Sequence, residues 1–136
     1  MLRLLIVEDD GRLRDLFSRL LKLKGHQVRE AQDGQEAVQV ASQEVFDLVV
    51  MDIKMPKLDG ISAFHKIRSA TPSTPIMLIT GYQVTPDLEA LLGKGTVEYL
   101  RKPFTFDHFM EAIDRMTHHN VSANGAESSQ AKVEDA

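Results

Sequence analysis

Short apolar runs alternate with amphipathic stretches five times along this chain. Leu4-Leu5-Ile6-Val7 has the length and bulk of a buried strand and is cut off by Glu8-Asp9-Asp10. Leu13, Leu16, Phe17, Leu20 and Leu21 then recur at helical spacing, and Gly25 is placed to stop that helix in the left-handed conformation. Val28 to Ala31 reads as a weaker second strand, and Asp33 and Glu36 have the spacing of a capping box ahead of Ala37, Val40 and Ala41. The run from Phe46 to Met51 is the most apolar strand candidate, and Asp52 ends it. After a loop with Met55-Pro56, Ile61, Phe64 and Ile67 mark one side of a third helix. Pro75 to Ile79 reads as strand four, ending at Thr80-Gly81. Thr85-Pro86 has the form of an N-cap followed by proline at the first helical position, with Leu88, Leu91 and Leu92 facing inward. Val97 to Leu100 is strand five, and Thr105 caps a last helix bearing Phe109, Met110, Ile113 and Met116.

Strands apolar on both faces and separated by helices predict a parallel sheet covered on two sides. Right-handed crossovers then make a three-layer, doubly wound α/β domain. Residues 1–118 are expected to form it. Residues 119–136, where the pattern dissolves into Asn, Ser, Gln and Glu, read as a flexible tail or linker. His118-His119 is a frayed helix end in this reading and is assigned no metal.

Composition narrows the function classes. A chain of 136 residues with 43% hydrophobic and 26% charged content can bury the core of one domain. A net charge of −4 opposes direct contact with nucleic acid, which calls for clustered Lys and Arg. With no cysteine there is no disulfide framework, thiolate metal site or thiol catalysis. The N-terminal run lacks the length and flanks of a signal peptide, and no apolar run approaches a membrane span. A cytoplasmic protein without membrane contact is expected.

In an open parallel sheet, ligands bind outside the carboxyl ends of the strands. There the sequence places Glu8, Asp9 and Asp10 after strand one, Asp52 at strand three, Thr80 at strand four and Arg101-Lys102-Pro103 after strand five. Two carboxylates about 4 Å apart repel by roughly 4 kcal/mol at an effective dielectric near 20, so the cluster needs a proton or a cation. Oxygen ligands of this kind suit Mg²⁺, and a carboxylate nucleophile forms an aspartyl phosphate. Each residue then has a chemical role. Asp52 attacks phosphorus, Glu8 and Asp9 hold Mg²⁺, Lys102 neutralises a phosphate oxygen, and Thr80 offers its hydroxyl to another.

Glu8-Asp9-Asp10, the string from Asp52 through Ile53-Lys54-Met55-Pro56-Lys57-Leu58 to Asp59-Gly60, Thr80-Gly81, and Tyr99-Leu100-Arg101-Lys102-Pro103-Phe104 together resemble the signatures of bacterial response-regulator receiver domains. The resemblance runs over about residues 2–118, with order and spacing both in register. It implies a flavodoxin-like (βα)5 domain with strand order 2-1-3-4-5, Mg²⁺ dependence, and phosphoryl donation by a histidine kinase or phosphotransfer protein. It also implies that Lys54 offers its backbone carbonyl to the metal and that the Lys102–Pro103 bond is cis. The acid pair falls on Glu8 and Asp9 with Asp10 starting the helix, the alternative being Asp9 and Asp10. Thr80 and Tyr99 match the family's switch pair, relaying phosphorylation to the fourth helix, fifth strand and last helix. A downstream protein effector, or a second copy in a phosphorylation-dependent homodimer, would dock there. Lys54 and Tyr82 occupy positions that govern water access, implying slow loss of the phosphoryl group. The chain reads either as a stand-alone receiver or as one cut from a longer regulator.

Plainer readings exist for each residue alone. The acids could be a helix N-cap, Asp52 a loop aspartate, Lys102-Pro103 a turn and Tyr99 a core aromatic. Arg12, Arg14, Arg19, Lys22 and Lys24 read first as a solvated helix face and second as a kinase-docking face. Among other functions, a haloacid-dehalogenase-like phosphatase resembles Asp-x-Asp at its nucleophile, whereas Lys54 stands two residues after Asp52. A dinucleotide-binding module lacks its glycine loop here, and three acids would repel a pyrophosphate. A degenerate receiver acting only as a scaffold does not need the full set of acid, Asp, Thr and Lys. An enzyme with external turnover is not expected.

Overall fold

Strand pairing continues across the whole domain in the order β2-β1-β3-β4-β5. The strands are β1 Arg3–Val7, β2 Gln27–Ala31, β3 Leu48–Asp52, β4 Ile76–Thr80 and β5 Val97–Arg101, all parallel. Between and after them run α1 Gly11–Leu23, α2 Gly34–Gln43, α3 Gly60–Ala70, α4 Pro86–Glu89 and α5 Phe106–Thr117. This computed structural model describes residues 1–54, 59–81 and 85–117. Met55-Pro56, Tyr82, His118-His119 and the 119–136 segment lie outside them. The flavodoxin-like α/β class and the 2-1-3-4-5 order expected above are those observed.

Side-chain alternation along the strands divides the core in two. Leu4, Ile6, Leu48, Val50, Met77 and Ile79 pack with Phe17 and Leu21 of α1 and Phe109 and Ile113 of α5. Leu5, Val7, Val49, Met51, Ile76 and Leu78 pack with Ala37 and Val40 of α2, Phe64 and Ile67 of α3, and Leu88 of α4. All five residues of β3 and all five of β4 are buried, as central parallel strands must be. Each fully buried Leu, Ile or Phe contributes roughly 1.5–3 kcal/mol.

The helix signals hold in detail. Gly25 has φ of 92° and lets the chain leave α1, with its N–H on the Lys22 carbonyl. Asp33 caps α2 through the Glu36 N–H at 2.8 Å, while Glu36 reaches back to the Gln32 N–H at 2.8 Å. Thr85 and Thr105 accept from Leu88 and His108 at the starts of α4 and α5.

Three expectations need correction. Phe46 is buried but precedes β3, which starts at Leu48 and, as expected, ends at Asp52. Leu16 is 50% exposed, because α1 buries a stripe through Phe17, Ser18 and Leu21 and rotates Leu16 to its flank. Leu92 is 47% exposed, because α4 is a single turn continued by a 3-10 helix at Ala90–Gly93. Three residues per turn align Leu88 with Leu91 and turn Leu92 outward.

Two arginines fasten the edges. Arg115 of α5 holds the buried Glu98 of β5 at 3.0 Å. Arg68, near the end of α3, donates from Nη1 to the carbonyls of Thr71, Pro72 and Thr74 and from Nη2 to that of Thr96. It also lies 5.4 Å from the Phe64 ring centroid. Gly95 faces this guanidinium at φ of 82°, where a Cβ would stand 2.9 Å from Arg68 Cζ.

Candidate functional site

The carboxyl ends of β1 and β3 lie side by side, with Val7 opposite Met51. Glu8 extends the β1 ladder through its N–H to the Ala31 carbonyl, and Lys102 extends that of β5 through its N–H to the Thr80 carbonyl. Alternation therefore directs Glu8, Asp52 and Lys102 to the α1/α5 side of the sheet. They line an open cleft of about 430 Å³ together with Asp9, Asp10, Leu13, Lys54 and Gly81.

Asp52 is 5% exposed and both of its oxygens are engaged. Oδ2 accepts from Lys102 Nζ at 2.7 Å, and Oδ1 accepts from the Lys54 N–H at 2.9 Å. Burial alone would lower the Lys102 pKa, but its hydrogen bond and attraction to Asp52, with Glu8 and Asp9 behind, hold it above the ordinary value. The ammonium thus stays charged. The Lys102–Pro103 peptide bond is cis.

Glu8 is 3% exposed, and burial pushes its carboxyl up to about 7 from 4.5. The Asp10 N–H, at 3.1 Å from Oε2, opposes that rise, while the charge of Asp52 and hydrogen bonds to Asp9 and Asp52 add to it. Asp9 stands exposed at the rim. Asp10 is the N-cap of α1, its Oδ1 accepting from the Arg12 and Leu13 N–H groups, as expected of an acid that starts the helix.

Glu8 has a consequence for pH. Between about pH 4.5 and pH 7 the folded chain keeps a proton that the unfolded chain has released. Stability is therefore lost as pH rises through that window, by a few kcal/mol at most, given roughly 1.4 kcal/mol per unit. Urea unfolding without divalent ions, at about pH 5 and about pH 7, should show this loss in the native chain and little of it in Glu8→Gln. Equal pH slopes in the two proteins would contradict the assignment.

The donor set fits a hard divalent cation: Glu8, Asp9 and Asp52 offer only oxygen, and burial, with the charge of Asp52 added, pushes Glu8 toward its neutral form even with the Lys102 ammonium on Asp52. Among the described residues no three acidic or imidazole side chains form a finished cage. Mg²⁺, which keeps several waters, does not require one.

Thr80 and Tyr99 lie outside the cleft lining. Register places Leu78 opposite Tyr99 and Thr80 opposite Arg101, and alternation turns both side chains to the α3/α4 face. Thr80 is 4% exposed. Tyr99 packs on the core there, and its hydroxyl is shut from solvent with no hydrogen-bond partner among the described residues. Burial, and then the charge of Glu89, raise its pKa.

Two residues support the site in ways their sequence readings do not give: Gly60, and Arg14, which is half-buried against β1 and β2 rather than on a solvated face. A Cβ on Gly60 would lie 2.5 Å from Ile53 Cα and 2.9 Å from the Asp52 carbonyl oxygen, so α3 starts directly against the strand end that carries Asp52. The Asp-Gly pair ahead of an apolar stripe marks a helix start, and Asp59 does cap α3 through the Ser62 N–H; it does not reveal the close approach. Arg14 donates to the Glu8 carbonyl at 2.7 Å, a contact with no sequence signal.

Fold and cleft together define a doubly wound α/β domain with a carboxylate and an ammonium paired at the strand ends. The model of the response regulator receiver domain matches residues 4–114, and the chain belongs to that family. It is 33% identical over 129 residues to response regulator MprA of Mycolicibacterium vanbaalenii, covering 95% of this chain and 56% of that protein. The chain thus spans about half the length of that relative. A receiver domain protein from Clostridium thermocellum superposes with a TM-score of 0.81 at 26% identity, covering 88% of this chain and 97% of the other. The receiver domain of sensor histidine kinase PA1611 from Pseudomonas aeruginosa does so with 0.75 at 30% identity, covering 85% and 97%, and has a magnesium ion coordinated in its active-site cleft. A receiver domain of two-component signalling is a switch rather than an enzyme. No helix among the described residues is long and apolar enough to cross a membrane.

Proposed function

We propose that this receiver takes a phosphoryl group onto Asp52 from a histidine kinase or phosphotransfer protein. The observation that carries the reading is the buried Asp52 carboxylate, hydrogen-bonded to Lys102 at 2.7 Å in a cleft shared with Glu8 and Asp9. An Asp52 oxygen attacks phosphorus, the P–N bond to the donor imidazole breaks, and the imidazole leaves with the electron pair. Lys102 follows the charge, exchanging the Asp52 oxygen for a phosphate oxygen without changing protonation. Glu8, Asp9, Asp52 and the Lys54 carbonyl would hold Mg²⁺, which when bound neutralises charge on the transferring group. Phosphoryl transfer asks little more of a protein than such positioning and electrostatics.

The new phosphate oxygens then draw the Thr80 hydroxyl over the strand end, and Tyr99 follows into the space it leaves. The buried hydroxyl of Tyr99, without a partner among the described residues, supports this element having a second arrangement. Residues 1–118 act as the domain. The α4, β5 and α5 surface engages a protein effector or a second copy.

Treating the full chain with a small-molecule phosphodonor should give a mass gain of one phosphoryl group that requires Mg²⁺, is blocked by a chelator and is lost on hydroxylamine treatment. No adduct under these conditions would overturn the reading.

A further inference from the structure

Arg14 of α1 touches the main chain of the proposed acid pair. Its Nη1 donates to the Glu8 carbonyl oxygen at 2.7 Å, and its Nε to Glu30 Oε1 of β2 at 3.1 Å. The Glu8 carbonyl belongs to the peptide unit that joins Glu8 to Asp9. Glu8 is already held by its N–H on the Ala31 carbonyl and by its Oε2 on the Asp10 N–H. Those two bonds hold the peptide units on either side, and Arg14 holds the carbonyl of the Glu8–Asp9 unit between them. Asp9 hangs from that plane with an exposed side chain, so the plane's tilt sets where its carboxylate points.

We propose that Arg14 is a positioning residue for divalent-cation binding: it locks the Glu8–Asp9 peptide plane and so aims Asp9 into the cleft, while Glu30 aims Arg14. The inference rests on the reading of the cleft as a Mg²⁺ site. An arginine that merely fastened α1 to β1 and β2 would show in stability alone. One that aims a ligand shows in metal affinity, where outer-shell partners typically matter by 10–100-fold.

Calorimetric titration of Mg²⁺ into the unphosphorylated full chain tests it. Arg14→Met should weaken binding about 10-fold, with Arg14→Lys recovering part of the loss and Glu30→Ala falling between. Saturating Mg²⁺ should restore phosphorylation of Arg14→Met, so that the metal concentration at half-effect moves while the plateau does not. Affinity of Arg14→Met within about twofold of the native chain, whatever its melting temperature, overturns the inference. If Arg14→Met does not fold, Glu30→Ala decides: unchanged affinity overturns, weaker affinity supports. A native chain that binds no Mg²⁺ overturns the cleft reading itself, a result distinct from native binding with unaffected variants.

Discussion

Asp52→Asn leaves a folded chain that takes up no phosphoryl group from a phosphodonor at any Mg²⁺ concentration. The amide is nearly isosteric, and its oxygen can still accept the Lys54 N–H that Asp52 Oδ1 accepts at 2.9 Å. What it lacks is the nucleophilic oxygen pair. The electrostatic consequences can be read independently. Lys102 loses the hydrogen bond and the attraction of Asp52, which together with Glu8 and Asp9 outweigh its burial, and Glu8 loses the charge and hydrogen bond of its buried neighbour. The Glu8 carboxyl should therefore titrate lower in the variant, measured by NMR of side-chain carboxyl carbons. An adduct of undiminished stoichiometry on Asp52→Asn would place the nucleophile elsewhere, and an unmoved Glu8 titration would separate the two acids.

Gly60→Ala should destabilise the domain severely. Its Cβ would fall 2.5 Å from Ile53 Cα, with two backbone oxygens at 2.9 Å, and backbone cannot yield as a side-chain tip can. The start of α3 must move off the end of β3, breaking the Gly60 N–H to Ile53 carbonyl bond at 2.9 Å. A loss of about 3 kcal/mol or more is expected by chemical denaturation, against a total of roughly 5–15 kcal/mol for an ordinary domain. Phosphorylation should slow as well, because the displaced backbone is that of Asp52 and its neighbour. A loss below about 0.5 kcal/mol, the level of a neutral surface change, would show that the helix start adapts at little cost.

The sheet was legible because runs such as Leu48-Val49-Val50-Met51 are apolar on both faces, which only a central parallel strand between two helical layers satisfies. The cleft was legible because strand ends are where the fold collects chemistry, and the short strands leave little freedom in register. The exposure of Leu16 and Leu92 has a local reason that spacing does not carry. Helical spacing admits several adjacent stripes, and which one faces inward depends on neighbouring elements, or on a switch from 3.6 to three residues per turn. Arg14 and Gly60 escaped for another. Their partners are main-chain atoms, which carry no residue-type signal, and the Glu30 that orients Arg14 stands 16 positions away.

Arg68 has an implication for which changes this chain tolerates. Its four acceptors are the carbonyls of Thr71, Pro72, Thr74 and Thr96, and a carbonyl is present whatever residue carries it. Those positions can drift in identity without loosening the clasp. Arg68 cannot, since a lysine has no fork to span α3 and the entry to β5. Gly95 cannot either, with its positive φ and a guanidinium where a Cβ would go. In a chain with no cysteine, one arginine and one glycine serve as the covalent staple it lacks, strict in shape and permissive in spelling.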